Sequence, residues 1–265
     1  MGHDTHSYNG GLGYHIIIRA NSGRVLAPGG RERRIVARSV LHRGREFGLL
    51  TFRAPDTHLH SLNAAGRDAA GEFARRVETS LTRQLDVEGG FADPRFIPIE
   101  HQRHLERVFR YIQNQRAHHG VELDPWHEAS NLLDLLSFRL LGRYTIRSVR
   151  TRLPRVTREE LEAFLGCPVL EVEDPTPEEA AEVVATAAGL VELGGHSREA
   201  NRARRAVLEA VGRRATTSQM AEALSVSAST IKRLRSAPVD TKLVAAIRRQ
   251  VGLRRQLRQS GERFE

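Results

Sequence analysis

One cysteine, Cys167, stands in the 265 residues, so no disulfide can form within the chain and a reducing compartment is expected. No apolar run approaches the ~20 residues that a membrane helix requires, so no membrane partner is expected. Met1 to Gly13 is polar and glycine-rich, with no apolar signal segment, which points to a cytoplasmic protein. Internal repeats and low-complexity tracts are also missing. Lysine is nearly absent, and the cations are almost all arginine.

What is present suits one large or two small domains, with 40% hydrophobic residues to build a core. The net charge of +9 and a pI near 10.7 point toward polyanionic partners. That charge is segregated. Residues 1–158 hold 25 basic and 16 acidic side chains, and residues 191–265 hold 16 basic and seven acidic. Between them, residues 159–190 carry nine acidic side chains and no basic one. Two basic modules therefore flank an acidic stretch.

The first module reads as alternating strands and helices. Tyr14 to Arg19 is a β-branched run suited to a buried strand. Arg31 to Arg43 has helical spacing, with Ile35, Val36, Val40 and Leu41 on one side and Gly44 fitting its end. Phe47–Phe52 and Thr57–Asn63 form two strands around a Pro55-Asp56 turn. A helix follows over Arg67–Gln84, and then a short run, Arg95 to Ile99, whose Pro98 suits only an edge strand. The β–α–β–β–α–β order predicts an α+β, ferredoxin-like antiparallel sheet with helices on one face. Further helices are predicted from Gln102 to Ala117 and from Asn131 to Leu141, with Trp126 between them as packing.

The acidic stretch has two helix starts, Thr157-Arg158-Glu159-Glu160 and Thr176-Pro177-Glu178-Glu179, with Gly166 and Gly189 as stops. It is read as a connector of two short solvated helices. Ser197 caps a helix over Arg198–Val211, and a final helix is placed over Thr241–Gln256. Between them, Thr217 to Leu234 has a helix-turn-helix pattern. Ala221 allows a close crossing, Ser225 makes the turn, Val226 plugs it, and Ile231 and Leu234 face the core. Ser229, Thr230, Lys232 and Arg233 are then available for a DNA groove and its phosphates. A three-helix packing unit without DNA contact is the alternative. The domains are accordingly 1–150, an acidic helical connector at 151–192, and an all-α helix-turn-helix domain at 193–265.

Residues two apart on a strand share a face, so His58 and His60 project together from the second strand of the hairpin, as half of a divalent-metal site or as two surface histidines. Downstream, Tyr111 and Gln115 are four apart and are predicted to share one helical face. This combination of His-Leu-His after a strand and Tyr-x-x-x-Gln on a later helix resembles the HUH single-tyrosine transposases, most of all the REP-associated tyrosine transposases. The resemblance covers about residues 14–143, including Tyr14-His15, Arg19, Pro55 to His60 and Arg110-Tyr111-Ile112. The added C-terminal module is similar to that of the longer REP-associated branch. This chain departs from the family pattern in three places. Thr57, preceded by Asp56, stands where the family has Asn before the first His. Gln115-Arg116 replaces an Asn-Pro, and a Trp-Ser-Ser is reduced to Trp126 with a later Ser130.

The resemblance implies that His58, His60 and Gln115 hold one Mg2+ or Mn2+ and that Tyr111 is the nucleophile. The reaction would be cleavage and rejoining of single-stranded or hairpin DNA through a covalent 5′-phosphotyrosine, in DNA transposition. Arg19, Arg24, Arg31, Arg33 and Arg34 are candidate phosphate contacts. Relatives act as a monomer or as a homodimer that shares tyrosine helices. A catalytically inactive DNA-binding regulator is the alternative outcome.

Overall fold

The structure, a computed structural model, describes residues 11–115 and 124–261. Its sheet has four strands, β1 (Gly13–Arg19), β2 (Leu49–Arg53), β3 (His58–Asn63) and β4 (Arg95–Ile99). Every pairing is antiparallel and the order is β2-β3-β1-β4. The edge position of β4 explains how Pro98, which has no N–H, is accommodated within a strand.

Helices α1 (Gly30–Gly44) and α2 (Arg67–Leu85) connect β1 to β2 and β3 to β4. Their stripes, Ile35, Val36 and Val40 on one and Phe73, Val77 and Leu81 on the other, bury Ile16, Ile18 and Leu59 from one sheet face. Each such aliphatic or aromatic side chain contributes ~1.5–3 kcal/mol when fully buried. The expectation of helices on one face alone is corrected. Helix α3 (Gln102–Gln113) lays Leu105, Val108, Phe109 and Ile112 on the other face, against Leu50, Leu62 and Ile99. Period-two alternation places Leu62, His60 and His58 on this second face.

The predicted helix over Asn131 to Leu141 is also corrected. Only one turn is helical, α4 (Leu132–Leu135). Asp134, fully buried, accepts from Gly142 N and from Arg139, and Ser137 turns the chain with φ 63°. These bonds hold the backbone in turns where leucine content alone suggested a helix. Helix α5 (Tyr144–Arg152) follows.

The acidic segment forms the two expected helices, α6 (Arg158–Leu165) and α7 (Pro177–Ala188). The expectation of a solvated connector fails for α7. Its Ala180, Val183, Val184 and Ala187 lie in one core with α8 (Arg198–Val211), α9 (Thr217–Ala223), α10 (Ala228–Arg235) and α11 (Thr241–Gly261). The acids line the outer side of α7 and pair with α11: Glu182 with Arg254 at 2.6 Å and with Arg258 at 2.9 Å, and Glu179 with Arg255 at 2.6 Å. The −9 segment thus neutralises part of the C-terminal +9. Gly189 ends α7 with φ 71°, and any Cβ there would lie 2.5 Å from Leu141. Among the described residues no helix is long and apolar enough to cross a membrane.

Candidate active site

His58 and His60 sit side by side on β3, with ring centroids 4.5 Å apart at 73°. Between them Leu59 points to the opposite face and anchors the strand in the α1–α2 core. The Nδ1 atom of His58 lies 2.8 Å from Asp56 Oδ1 and 3.4 Å from Thr57 Oγ1. The carboxylate of Asp56, on the hairpin turn, is therefore the closer partner of this ring. His58 is thus oriented by the residue two before it more closely than by its immediate neighbour Thr57.

The Nδ1 atom of His60 lies 3.0 Å from Nε2 of His15, on the neighbouring strand β1. These two rings stack with centroids 5.2 Å apart at 28°, and both residues are buried. Burial, followed by the nearby His104, Arg95 and His58, pushes the His15 imidazole down from 6.5 to about 4. His15 is thus uncharged at neutral pH and has a lone pair to offer. Its role was not assigned from the sequence, because finding it requires knowing that β1 and β3 are neighbours and in which register.

Tyr111 completes the cluster from α3. Its ring centroid lies 5.7 Å from that of His60 at 88° and 6.1 Å from that of His15 at 70°. It stands at the edge of the apolar stripe and is 40% exposed, unlike buried Ile112 beside it. The helix carrying it is tied down, because Arg110 pairs with Glu160 at 2.5 Å and Gln102 donates to Arg152 O.

The predicted single helical face for Tyr111 and Gln115 needs correction. Helix α3 ends at Gln113, and Asn114 leaves it with φ −91° and ψ 16°. The predicted end at Ala117 lies outside the described residues. Gln115 is buried, and its Nε2 donates to the Tyr111 carbonyl at 3.3 Å. An amide binds a cation through its side-chain oxygen.

No family model, curated protein or solved structure matches this chain. The functional reading therefore rests on residues and geometry.

Among the described residues no group of three or more His, Cys, Asp or Glu side chains is placed to hold a metal. A cation on His58 and His60 would need an amide, water or substrate oxygen to complete its shell. The two rings fit such a role, since both Nδ1 atoms are engaged by protein groups and Nε2 is the nitrogen each would offer.

Arg53 was missed. It pairs with His60 across the β2–β3 ladder, is 3% exposed, and its Nη1 lies 2.8 Å from His127 Nδ1. A register shift between Leu49 and Thr51 changes which β2 residues share the histidine face, and strand alternation alone hides this.

Of the candidate phosphate contacts, Arg19, Arg24 and Arg31 are exposed, and Arg19 is the register partner of His58. Arg33 and Arg34 are occupied elsewhere. Arg33 donates to Ala27 O and Pro28 O, and Arg34 donates to Val191 O at 2.7 Å and lies 3.7 Å from buried Glu128. Arg33 thus ties α1 to the loop just before it, and Arg34 ties it to segments distant in sequence.

In the C-terminal part, α9 and α10 are joined by a turn at Ser225, whose φ is 49°. Ile231 and Leu234 are buried as expected, and Ser229, Lys232 and Arg233 are exposed on α10. The Thr230 hydroxyl lies 3.0 Å from that of the capping Ser227, so it is partly engaged within its own helix.

Proposed function

We propose that this protein cleaves and rejoins single-stranded DNA at hairpin-forming palindromic repeats, as an HUH single-tyrosine transposase of the REP-associated kind. The observation that carries this reading is the ring of Tyr111 set against His60 and His15 within one chain. The β1-α1-β2-β3-α2-β4 order, with strands arranged β2-β3-β1-β4 in one antiparallel sheet, supports it, since a ferredoxin-like domain is expected to have that order.

In this reading the Tyr111 oxygen attacks the scissile phosphorus while the bond to the 3′ oxygen breaks. A 5′-phosphotyrosine and a free 3′-OH result. One phosphodiester replaces another, so a 3′-OH can reverse the step and rejoin strands without an added energy source. A phenol ordinarily keeps its proton near neutrality, so a base must take it, with bound water or hydroxide as the options. His58, His60 and Gln115 would hold Mg2+ or Mn2+, which supplies Lewis-acid neutralisation of the phosphate charge. Arg19, Arg24 and Arg31 steer the single strand by its phosphates.

The pair α9–α10 serves as a helix-turn-helix that holds the duplex part of the hairpin, with Ser229, Lys232 and Arg233 toward DNA. Residues 1–150 form the nuclease domain and 193–265 the DNA-binding domain, to which α7 of the acidic segment contributes core. The protein acts in the cytoplasm. Tyr111 stands beside His60 of its own chain, which favours a monomer.

The test is incubation of the full chain with a labelled oligonucleotide carrying an imperfect palindrome, in Mn2+. Transfer of the label to protein is expected, with Tyr111→Phe abolishing it. Sequence-specific binding without transfer would instead favour the inactive regulator, and cleavage that survives Tyr111→Phe would favour a phosphodiesterase without a covalent step.

A further inference from the structure

We propose that His15 is a positioning residue that fixes His60 in the tautomer with the proton on Nδ1, so that His60 presents Nε2 as a ligand atom. This rests on the reading of His58 and His60 as metal ligands. The two imidazoles meet at 3.0 Å, His15 Nε2 to His60 Nδ1, and a single proton lies between them. If His60 carries it, the Nε2 of neutral His60 carries no proton. If His15 carries it, the remaining proton of neutral His60 sits on Nε2, where a cation would bind. An imidazole without a partner favours the proton on Nε2, so a binding-ready His60 needs an acceptor at Nδ1. The nitrogen left for metal is set by the bond the other one makes.

His15 is placed to be that acceptor. His15 is 5% exposed and His60 3%. Both lie under α3, with the Tyr111 ring against each. The rings stack at 28° from diagonal positions of the β1–β3 ladder, where His15 faces Leu62 and His60 faces Ile17. His58 reaches the same state by a different device. Its Nδ1 faces Asp56 Oδ1 at 2.8 Å, and an ionised carboxylate can only accept. One ligand is thus set by a carboxylate on the turn, and the other by an imidazole from the neighbouring strand. Using a neutral acceptor for His60 avoids a second negative charge beside the phosphate.

The experiment uses the full chain, metal-free and labelled with 15N-histidine, with His60 assigned by the signal lost in His60→Gln. Long-range proton–nitrogen correlation reads its tautomer, and calorimetric titration with Mn2+ reads affinity. The wild type is expected to show His60 with Nδ1 protonated. In His15→Leu the proton is expected to shift toward Nε2, with Mn2+ affinity falling about 10- to 100-fold. His15→Gln, which sets an amide oxygen near the lost Nε2, is expected to recover most of that affinity. A wild-type His60 protonated on Nε2, or His15→Leu binding Mn2+ as tightly as wild type, overturns the proposal. Should His15→Leu not fold, the wild-type tautomer decides alone. Absence of Mn2+ binding by the wild type, or binding untouched by His58→Ala, would sink the metal-site reading itself, and the tautomer measurement separates the two failures.

Discussion

Replacing Asn131 by alanine removes a side chain that finishes the buried β2 edge of the sheet. β2 pairs with β3 on one side, and on the other Arg53 bridges to Ser130 while the rest of that edge needs partners. Asn131 supplies them in the manner of a short strand. Its Oδ1 accepts from Phe52 N at 3.2 Å and its Nδ2 donates to Leu50 O at 3.0 Å. The same Oδ1 accepts from Thr51 Oγ1 at 2.9 Å and from Gln113 Nε2 at 3.2 Å. Asn131 is completely buried, so water cannot replace it easily. Each buried backbone group left without a partner costs ~1–3 kcal/mol. Two such groups, with the Thr51–Gln113 bond kept, give a loss of ~4 kcal/mol, against a total stability of roughly 5–15 kcal/mol for a native protein. Gln113 is the last residue of α3, so the same change loosens the end of the helix carrying Tyr111. The assay is urea unfolding of wild type and Asn131→Ala, compared by midpoint at constant slope. A difference below ~1 kcal/mol would refute the account of this edge.

Two further outcomes follow from buried acids. Glu78 on α2 is raised from 4.5 to about 7 by burial and by Asp93. Its ionised form is disfavoured in the fold, so the stability it allows is full below pH 4.5 and is lost as pH rises through about 7. Because the group is only partly buried, Glu78→Gln should stabilise the protein by ~1 kcal/mol above pH 7 and flatten the profile between, as read by unfolding temperature against pH. Glu128 is 1% exposed and faces Arg254 at 3.1 Å, Arg34 at 3.7 Å and the Thr186 hydroxyl at 2.5 Å. Glu128→Ala leaves Arg254 without this partner in a buried setting and should cost ~3–5 kcal/mol. Arg254 also lies over the only tryptophan, Trp126, at 4.9 Å, so the fluorescence of Trp126 should shift to the red in the same variant.

The elements read correctly from sequence are those whose signals are local. The β-branched run of β1, the stripes of α1 and α2, and the caps at Thr157, Thr176, Ser197 and Ser227 all stand where the pattern puts them. The failures have longer reach. Counting acids made the segment around α7 look solvated, although Ala180, Val183, Val184 and Ala187 have the spacing of a buried face. At Thr157 the reciprocal cap is incomplete, and the Glu160 carboxylate bonds Arg110 on the tyrosine helix. His58, His60 and Tyr111 were visible because strand period and helix stripe place them. His15 and Arg53 depend on which strands are neighbours and on a register shift inside β2. Arg34 looked like a surface cation because Val191 and Glu128, which occupy it, are far away in sequence, whereas Arg33 folds back on the nearby carbonyls of Ala27 and Pro28.

The central claim is that Tyr111 becomes covalently joined to the 5′ phosphate of its DNA. The full chain is incubated with a palindromic oligonucleotide in Mn2+, trimmed with nuclease and digested with trypsin, and the peptides are weighed by mass spectrometry. Cleavage after Arg110 and Arg116 yields the peptide Tyr111-Ile112-Gln113-Asn114-Gln115-Arg116. The account predicts this peptide carrying a nucleotide on Tyr111. A nucleotide on any other residue, or only unmodified peptide after binding of the same DNA, would contradict it.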